Sequence, residues 1–174
     1  MSEKEKAIEI LGFLNREDKY IDDSWNSQPL TAYMAKRIQY PLNVGGMSTG
    51  DIEVRWRQNF DNIVFTISLI FDRLVLIKVV VDPYVEHLNP SSPVASQARS
   101  WEKHIEGPHF FSWPDNRVFV ATQNESTYLR IARKLPAEVG TDYESVFRWV
   151  ATKSKIKLKR GQEIPNPMKK NAWR

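Results

Sequence analysis

Cysteine is absent from the 174 residues. That excludes a disulfide framework, a thiolate zinc site and a cysteine nucleophile, and it removes any redox argument. The absence fits a cytoplasmic protein. Glycine is sparse, and no Gly-x-Gly-x-x-Gly occurs. Gly45-Gly46 and Gly50 lack the following Lys-Ser/Thr of a phosphate loop, so no cofactor is expected. Long hydrophobic runs are also missing. The most apolar stretch, residues 74–81, contains Lys78 and falls well short of the ~20 residues a spanning helix needs. The first ten residues, MSEKEKAIEI, have no apolar core of a signal peptide. No membrane partner is expected.

What is present describes an ordinary globular chain. Hydrophobic residues make up 41% and charged residues 26%, enough of the former to bury a core and too little net charge for disorder. The length suits one domain, read as residues 1–160 with a basic tail at 161–174. The formal charge of +4 is unevenly spread. From residue 151 onward Lys153, Lys155, Lys157, Lys159, Arg160, Lys169, Lys170 and Arg174 face Glu163 alone. The rest of the chain is therefore slightly acidic, and the C-terminal segment is the part suited to an anionic partner.

Residues 51–82 organise the fold. Ile52, Val54 and Trp56 alternate with Glu53, Arg55 and Arg57, the period of a half-buried strand whose charged side is solvated. Residues 63–71 and 74–81 give two more strands, the last apolar enough to be central, with turns at 59–62 and at Asp72-Arg73. Connections this short make an antiparallel meander. A further strand is expected near residues 37–42, and a hairpin from 109–113 to 117–122. Residues 86–100 read as a long polar loop. Residues 2–15 form a helix, with a Ser2/Glu5 capping box and an apolar stripe of Ala7, Ile8, Leu11 and Leu14 widened by Ile10 and Phe13. A second helix covers residues 141–152, capped by Thr141. Residues 153–160 alternate Lys with Ser154, Ile156 and Leu158, so a strand there would put every lysine on one face. The fold class expected is α+β: a mainly antiparallel sheet of about five or six strands with an N-terminal and a C-terminal helix packed on it.

After the third strand come His87-Leu88-Asn89-Pro90 and then Gly107-Pro108-His109-Phe110-Phe111-Ser112-Trp113. With the strands before them and the helix after, they resemble a family of small uncharacterised bacterial and prophage domains. That family has a His-x-Asn-Pro-Asp-Gly loop and a Gly-x-His-x-His-x-Tyr strand. Here Ser91-Ser92 replaces the Asp-Gly, Phe111 the second histidine and Trp113 the tyrosine. The resemblance implies a compact α+β fold and carries no activity.

Three groups of residues carry candidate chemistry. His87 and His109 could act as acid and base in RNA cleavage; the structural alternative is a pair of hydrogen-bonded loop histidines. No ligand-like spacing accompanies them, and no metal is expected. The lysines listed above, with Arg160 and Arg174, could displace counterions from a nucleic acid. Trp101, Trp113 and Trp173 could stack on unpaired bases. Against these stand a lysine-protected sheet edge and aromatic core packing. The function expected is a nucleic-acid-binding or regulatory module of a bacterial prophage, plasmid or defence system. The alternatives are a protein–protein interaction domain, including a homo-oligomer, and a small histidine-dependent ribonuclease. Whether the chain is an enzyme stays open at this stage.

Overall fold

The strongest alternation in the chain becomes its longest strands. The computed structural model describes residues 3–21, 30–32, 35–59, 62–90, 101–117, 129–159 and 162–168, with residue 3 and residues 30–32 described by backbone only. β4 (Met47–Asn59), β5 (Asn62–Phe71) and β6 (Leu74–Val81) form an antiparallel meander in which Val54, Ile67 and Val79 lie in one row and Ile52, Leu69 and Ile77 in the next. Asp72 and Arg73 turn between β5 and β6 with φ of 45° and 65°. Two successive left-handed residues are what a type I′ hairpin requires, here without the usual Asn-Gly.

β3 (Ala35–Val44) joins β4 across the Gly45-Gly46 turn. Two short strands share its other edge. β1 (Lys19–Ile21) pairs with residues 42–44 and β2 (Leu30–Ala32) with residues 35–37. Pro41, which has no N–H to give a ladder, falls between them. On the far side β6 pairs with β9 (His109–Ser112), and β9 with β10 (Ala132–Lys134). β11 (Ile156–Lys157) closes the opposite edge, parallel to β1. The order is β10-β9-β6-β5-β4-β3-β1-β11, with β2 also on β3. The antiparallel α+β class holds, but among the described residues the main sheet has nine strands rather than five or six.

The structure corrects several local expectations. The polar loop at 86–100 opens with β7 (Glu86–Leu88), which pairs with β8 (His104–Glu106) as a separate ribbon. The expected turn of a 109–122 hairpin is one helical turn, α2 (Trp113–Asn116), and β9 pairs with β6 and β10 instead. Residues 118–122, Ser2 and its capping box lie outside the described residues.

Both long helices cover one face of the sheet. α3 (Tyr143–Lys153) buries Tyr143, Val146, Phe147, Val150 and Ala151. Phe147 meets Tyr40 edge-on, and Tyr143 meets Phe65. Burying each such ring contributes about 1.5–3 kcal/mol. The cap is Asp142, which accepts from the Ser145 N–H at 2.9 Å, rather than Thr141. α1 (Glu3–Asn15) turns Ile10 and Phe13 inward and leaves Ile8 and Leu11 exposed, so the stripe expected from spacing is rotated. Phe13 stacks on Phe71 at 4.3 Å, above Gly50. A Cβ at Gly50 would lie 2.6 Å from the Ile70 carbonyl oxygen and 3.3 Å from the Phe13 ring. The backbone oxygen cannot yield cheaply, so Gly50→Ala is expected to cost about 1–3 kcal/mol by overpacking, read as a lower urea midpoint.

The end of α1 is finished by a lysine. The fully buried Lys19 donates to the carbonyls of Phe13 (2.8 Å), Leu14 (3.2 Å) and Arg16. The Phe13 and Leu14 carbonyls belong to the last turn of α1 and the Arg16 carbonyl follows it. The Phe13 oxygen also accepts from the Arg16 N–H at 3.3 Å, and a cation suits that end of the helix dipole.

The other face of the sheet is polar along its middle strands. Glu53, expected on a solvated strand face, is 4% exposed and held by Arg37 and by Arg55, whose Nε donates at 2.6 Å. Beyond β6 this face is covered by the β7–β8 ribbon, where Ile105 packs on Phe111 and Ala132.

Candidate functional site

The lysine-rich segment does not form one alternating strand. α3 runs through Lys153, Ser154 and Lys155 turn, and only Ile156 and Lys157 extend. Lys155 takes a positive φ of 53°. The fully buried Ser154 and the buried Ile156 face inward, and Lys153, Lys155, Lys157 and Lys159 stay exposed. The single lysine face predicted from alternation is therefore replaced by a cluster where the end of α3 meets the β1–β11 edge.

The surroundings of that cluster are specific. Lys153 lies over the Trp149 ring at 5.7 Å and Lys159 over the Tyr20 ring at 5.0 Å. Lys157 sits beside Tyr20 in the parallel register. The nearby acids are already engaged. Glu17 pairs with Lys155 at 3.4 Å. Asp18 receives both Nε and a terminal nitrogen of Arg16, at 2.9 and 2.6 Å, and this pairing holds its carboxyl down at about 2. Lys153 and Lys157 have no ion pair with any described residue. Arg160, Lys169, Lys170, Trp173 and Arg174 lie outside the described residues. Part of the expected tail is docked: Tyr143 donates to the Pro165 carbonyl at 2.7 Å, and Ile164 and Met168 pack on the core.

The stacking assignments divide. Trp113 is 2% exposed and belongs to the core, so it offers no platform for a base. Trp101 is half-buried and also packs on the core. The rings beside the exposed lysines are Tyr20 and Trp149, which spacing alone did not single out. Trp149, like Trp101, is half-buried on the core, where it meets Phe110 of β9 at 4.9 Å.

Two of the three histidines converge. His87 on β7 and His109 on β9 stack with centroids 5.6 Å apart, and Phe111 meets both edge-on. His104 is exposed on β8, between Glu86 and Glu106. His87 Nε2 bonds the Arg130 carbonyl and His109 Nδ1 the Gly107 carbonyl, each at 2.8 Å. Each ring therefore donates to backbone. Asn89 completes the arrangement. Its amide nitrogen donates to the carbonyls of Glu102 and Ala132, and its oxygen accepts from the Ala132 N–H. Gly107, at φ 76°, bonds the Val85 carbonyl through its N–H. The residues of the His-x-Asn-Pro and Gly-x-His segments thus fasten the ribbon to the sheet and to residues 130–132. Among the described residues no cluster of His, Cys, Asp and Glu could hold a metal ion.

His109 is 2% exposed, and burial lowers its pKa below the ordinary 6.5, with His87 and Lys78 adding in the same direction. The unfolded chain then binds a proton more readily than the folded one. The stabilisation is intact above pH 6.5 and is lost as pH falls from there through the lower folded value. Urea midpoints taken across this range should decline toward acid, and His109→Gln should flatten the decline.

Comparison with family models, with curated proteins and with solved structures finds no match to this chain. No helix among the described residues is long and apolar enough to cross a membrane.

Proposed function

We propose that the chain is a nucleic-acid-binding module that acts by binding rather than by catalysis. The observation that carries this is the run of exposed lysines from the end of α3 to the β1–β11 border, Lys153, Lys155, Lys157 and Lys159, with Glu17 and Asp18 already in ion pairs and the Tyr20 ring beside Lys157 and Lys159. Exposed ammonium groups beside aromatic rings are the usual means of holding a single strand: cations follow the phosphates and rings meet the bases. A setting in a prophage, plasmid or defence system is part of the same proposal and rests on the resemblance of the His87–Pro90 and Gly107–Trp113 segments.

Binding of labelled single-stranded RNA and DNA, measured over a salt series, tests it. Each phosphate contact contributes a slope of about −0.7 in log K against log salt. Changing Lys153, Lys155, Lys157 and Lys159 together to Gln should reduce the slope by about 2–3 and weaken binding more than tenfold at low salt. An unchanged slope in that variant, or no binding by the native chain, rejects the proposal. A chain that ignores polyanions and self-associates with concentration would be an interaction domain instead.

A second reading, RNA cleavage by His87 and His109, draws on their close ring approach. It requires the β7–β8 ribbon to lift, because a ring that is 2% exposed cannot reach a phosphodiester. His87→Ala and His109→Ala chains that cleave labelled RNA as the native chain does, or a native chain that does not cleave, remove it.

A further inference from the structure

On the sheet face away from the helices, β4, β5 and β6 line an open groove of about 460 Å³. That is within the size range of small-molecule sites. Its long walls are aliphatic: Val64, Val75, Val80, Val81 and Val85. Its polar groups come from one cross-strand row, Glu53–Ser68–Lys78, and from Thr66.

The polar groups differ in how far they are already occupied. Glu53 is taken up by Arg37 and Arg55. Arg57 lies 3.9 Å from Asp82. Lys78 has no hydrogen bond or ion pair with any described residue; it lies 5.9 Å from the Phe111 ring and feels the charges of Glu53 and Arg55 without bonding either. The hydroxyls of Ser68 and Thr66 likewise have no hydrogen-bond partner among the described residues. The charged residues lining the groove are Arg55, Arg57 and Lys78 against Glu53 and Asp82, one positive charge in excess. A half-buried ammonium with no direct ion pair, its nearest carboxylate Glu53 already held by two arginines, carries a desolvation cost that a single bound anion would offset.

We infer that this groove binds a small monocarboxylate with an apolar body, its headgroup on Lys78 and the Ser68 and Thr66 hydroxyls and its tail along the valine walls. One excess charge matches a monoanion, and aliphatic walls match an aliphatic tail. Burial, with the nearby Arg55 charge and against the opposing charge of Glu53, lowers the Lys78 pKa from its usual 10.5, and a carboxylate bound on Lys78 opposes that direction. The site is separate from the lysine border at β11.

Octanoate is the probe, titrated into the full chain and followed by amide NMR shifts. Saturable shifts confined to β4, β5 and β6 are expected. Octanol, with the same tail and no charge, should bind about tenfold more weakly, the worth of one charge-assisted hydrogen bond. Lys78→Met should bind octanoate about as weakly as the native chain binds octanol. Absence of saturable binding, shifts centred elsewhere, equal binding of octanol, or a folded Lys78→Met chain that binds octanoate normally would each overturn the assignment. Should Lys78→Met fail to fold, the comparison of octanoate with octanol on the native chain decides alone.

Discussion

Asn116→Ala should lose about 3–5 kcal/mol of stability, from about 1–3 kcal/mol for each buried polar group left without a partner. The Asn116 side chain is fully buried. Its nitrogen donates to the carbonyls of Ser112 and Ile131, both at 2.9 Å, and its oxygen accepts from the N–H groups of Arg130 and Ile131, both at 2.7 Å. That uses the whole capacity of an amide: two donors and two lone pairs. Alanine cannot replace any of it and leaves backbone groups stranded beside Trp113 and Ile131. Asn116→Asp should be nearly as damaging, because a carboxylate would face two carbonyls where the amide donated. Urea unfolding reads this as a lower midpoint with the m-value unchanged. A loss below about 1 kcal/mol would mean that these groups reach water, and the description of the site would be wrong.

Lys19→Met should cost about 2–4 kcal/mol on the same reasoning. Methionine preserves much of the stem that fills the space but supplies no donor to the carbonyls of Phe13, Leu14 and Arg16. A pH signature accompanies it. Burial depresses the Lys19 pKa from 10.5 to about 8, against the opposing charge of Asp18. Between those values the unfolded chain holds the proton more firmly than the folded chain, so stability attributable to this group rises with pH from about 8 to 10.5. The native chain should show that rise in its urea midpoints and the methionine variant should not. An identical profile in both would assign the effect to other groups.

The strands that were legible are those long enough to show a period. β4 and β5 were read from alternation, β6 from its nearly continuous apolar run, and β3 in part, because each is eight residues or longer and packs on the core. The strands that were missed are three residues long, and the one expected over residues 153–160 shrinks to two. Nothing local specifies so short a strand; Lys19–Ile21 is extended because Val44 and Ile156 lie on either side of it. The stripe on α1 was misplaced because Ile8 and Leu11 are as apolar as Ile10 and Phe13, and only Gly50 and Phe71 across the interface decide which pair is covered.

The candidate sites were legible to a similar degree. The surplus of lysines was visible in composition, and its clustering at one border was expected on a wrong local geometry. The approach of His87 to His109 depends on a ribbon that alternation cannot reveal in three-residue strands. Buried polar residues were the largest omission. Asn89 bonds a backbone 43 positions away, and Asn116 one 15 positions away. Their environment is supplied by distant segments, so residue type alone reads as a turn.

The parallel pairing of Lys19 with Ile156 has a bearing on how the molecule assembles during translation. Residues 19–21 leave the ribosome well before residues 156–157, the strand that shields their outer side. Until then an unpaired row of amides and carbonyls stands open to other nascent chains, a period in which association between copies is favoured. Joining ends so far apart in sequence also slows the last step, so yield on expression should depend on synthesis rate and on the availability of chaperones.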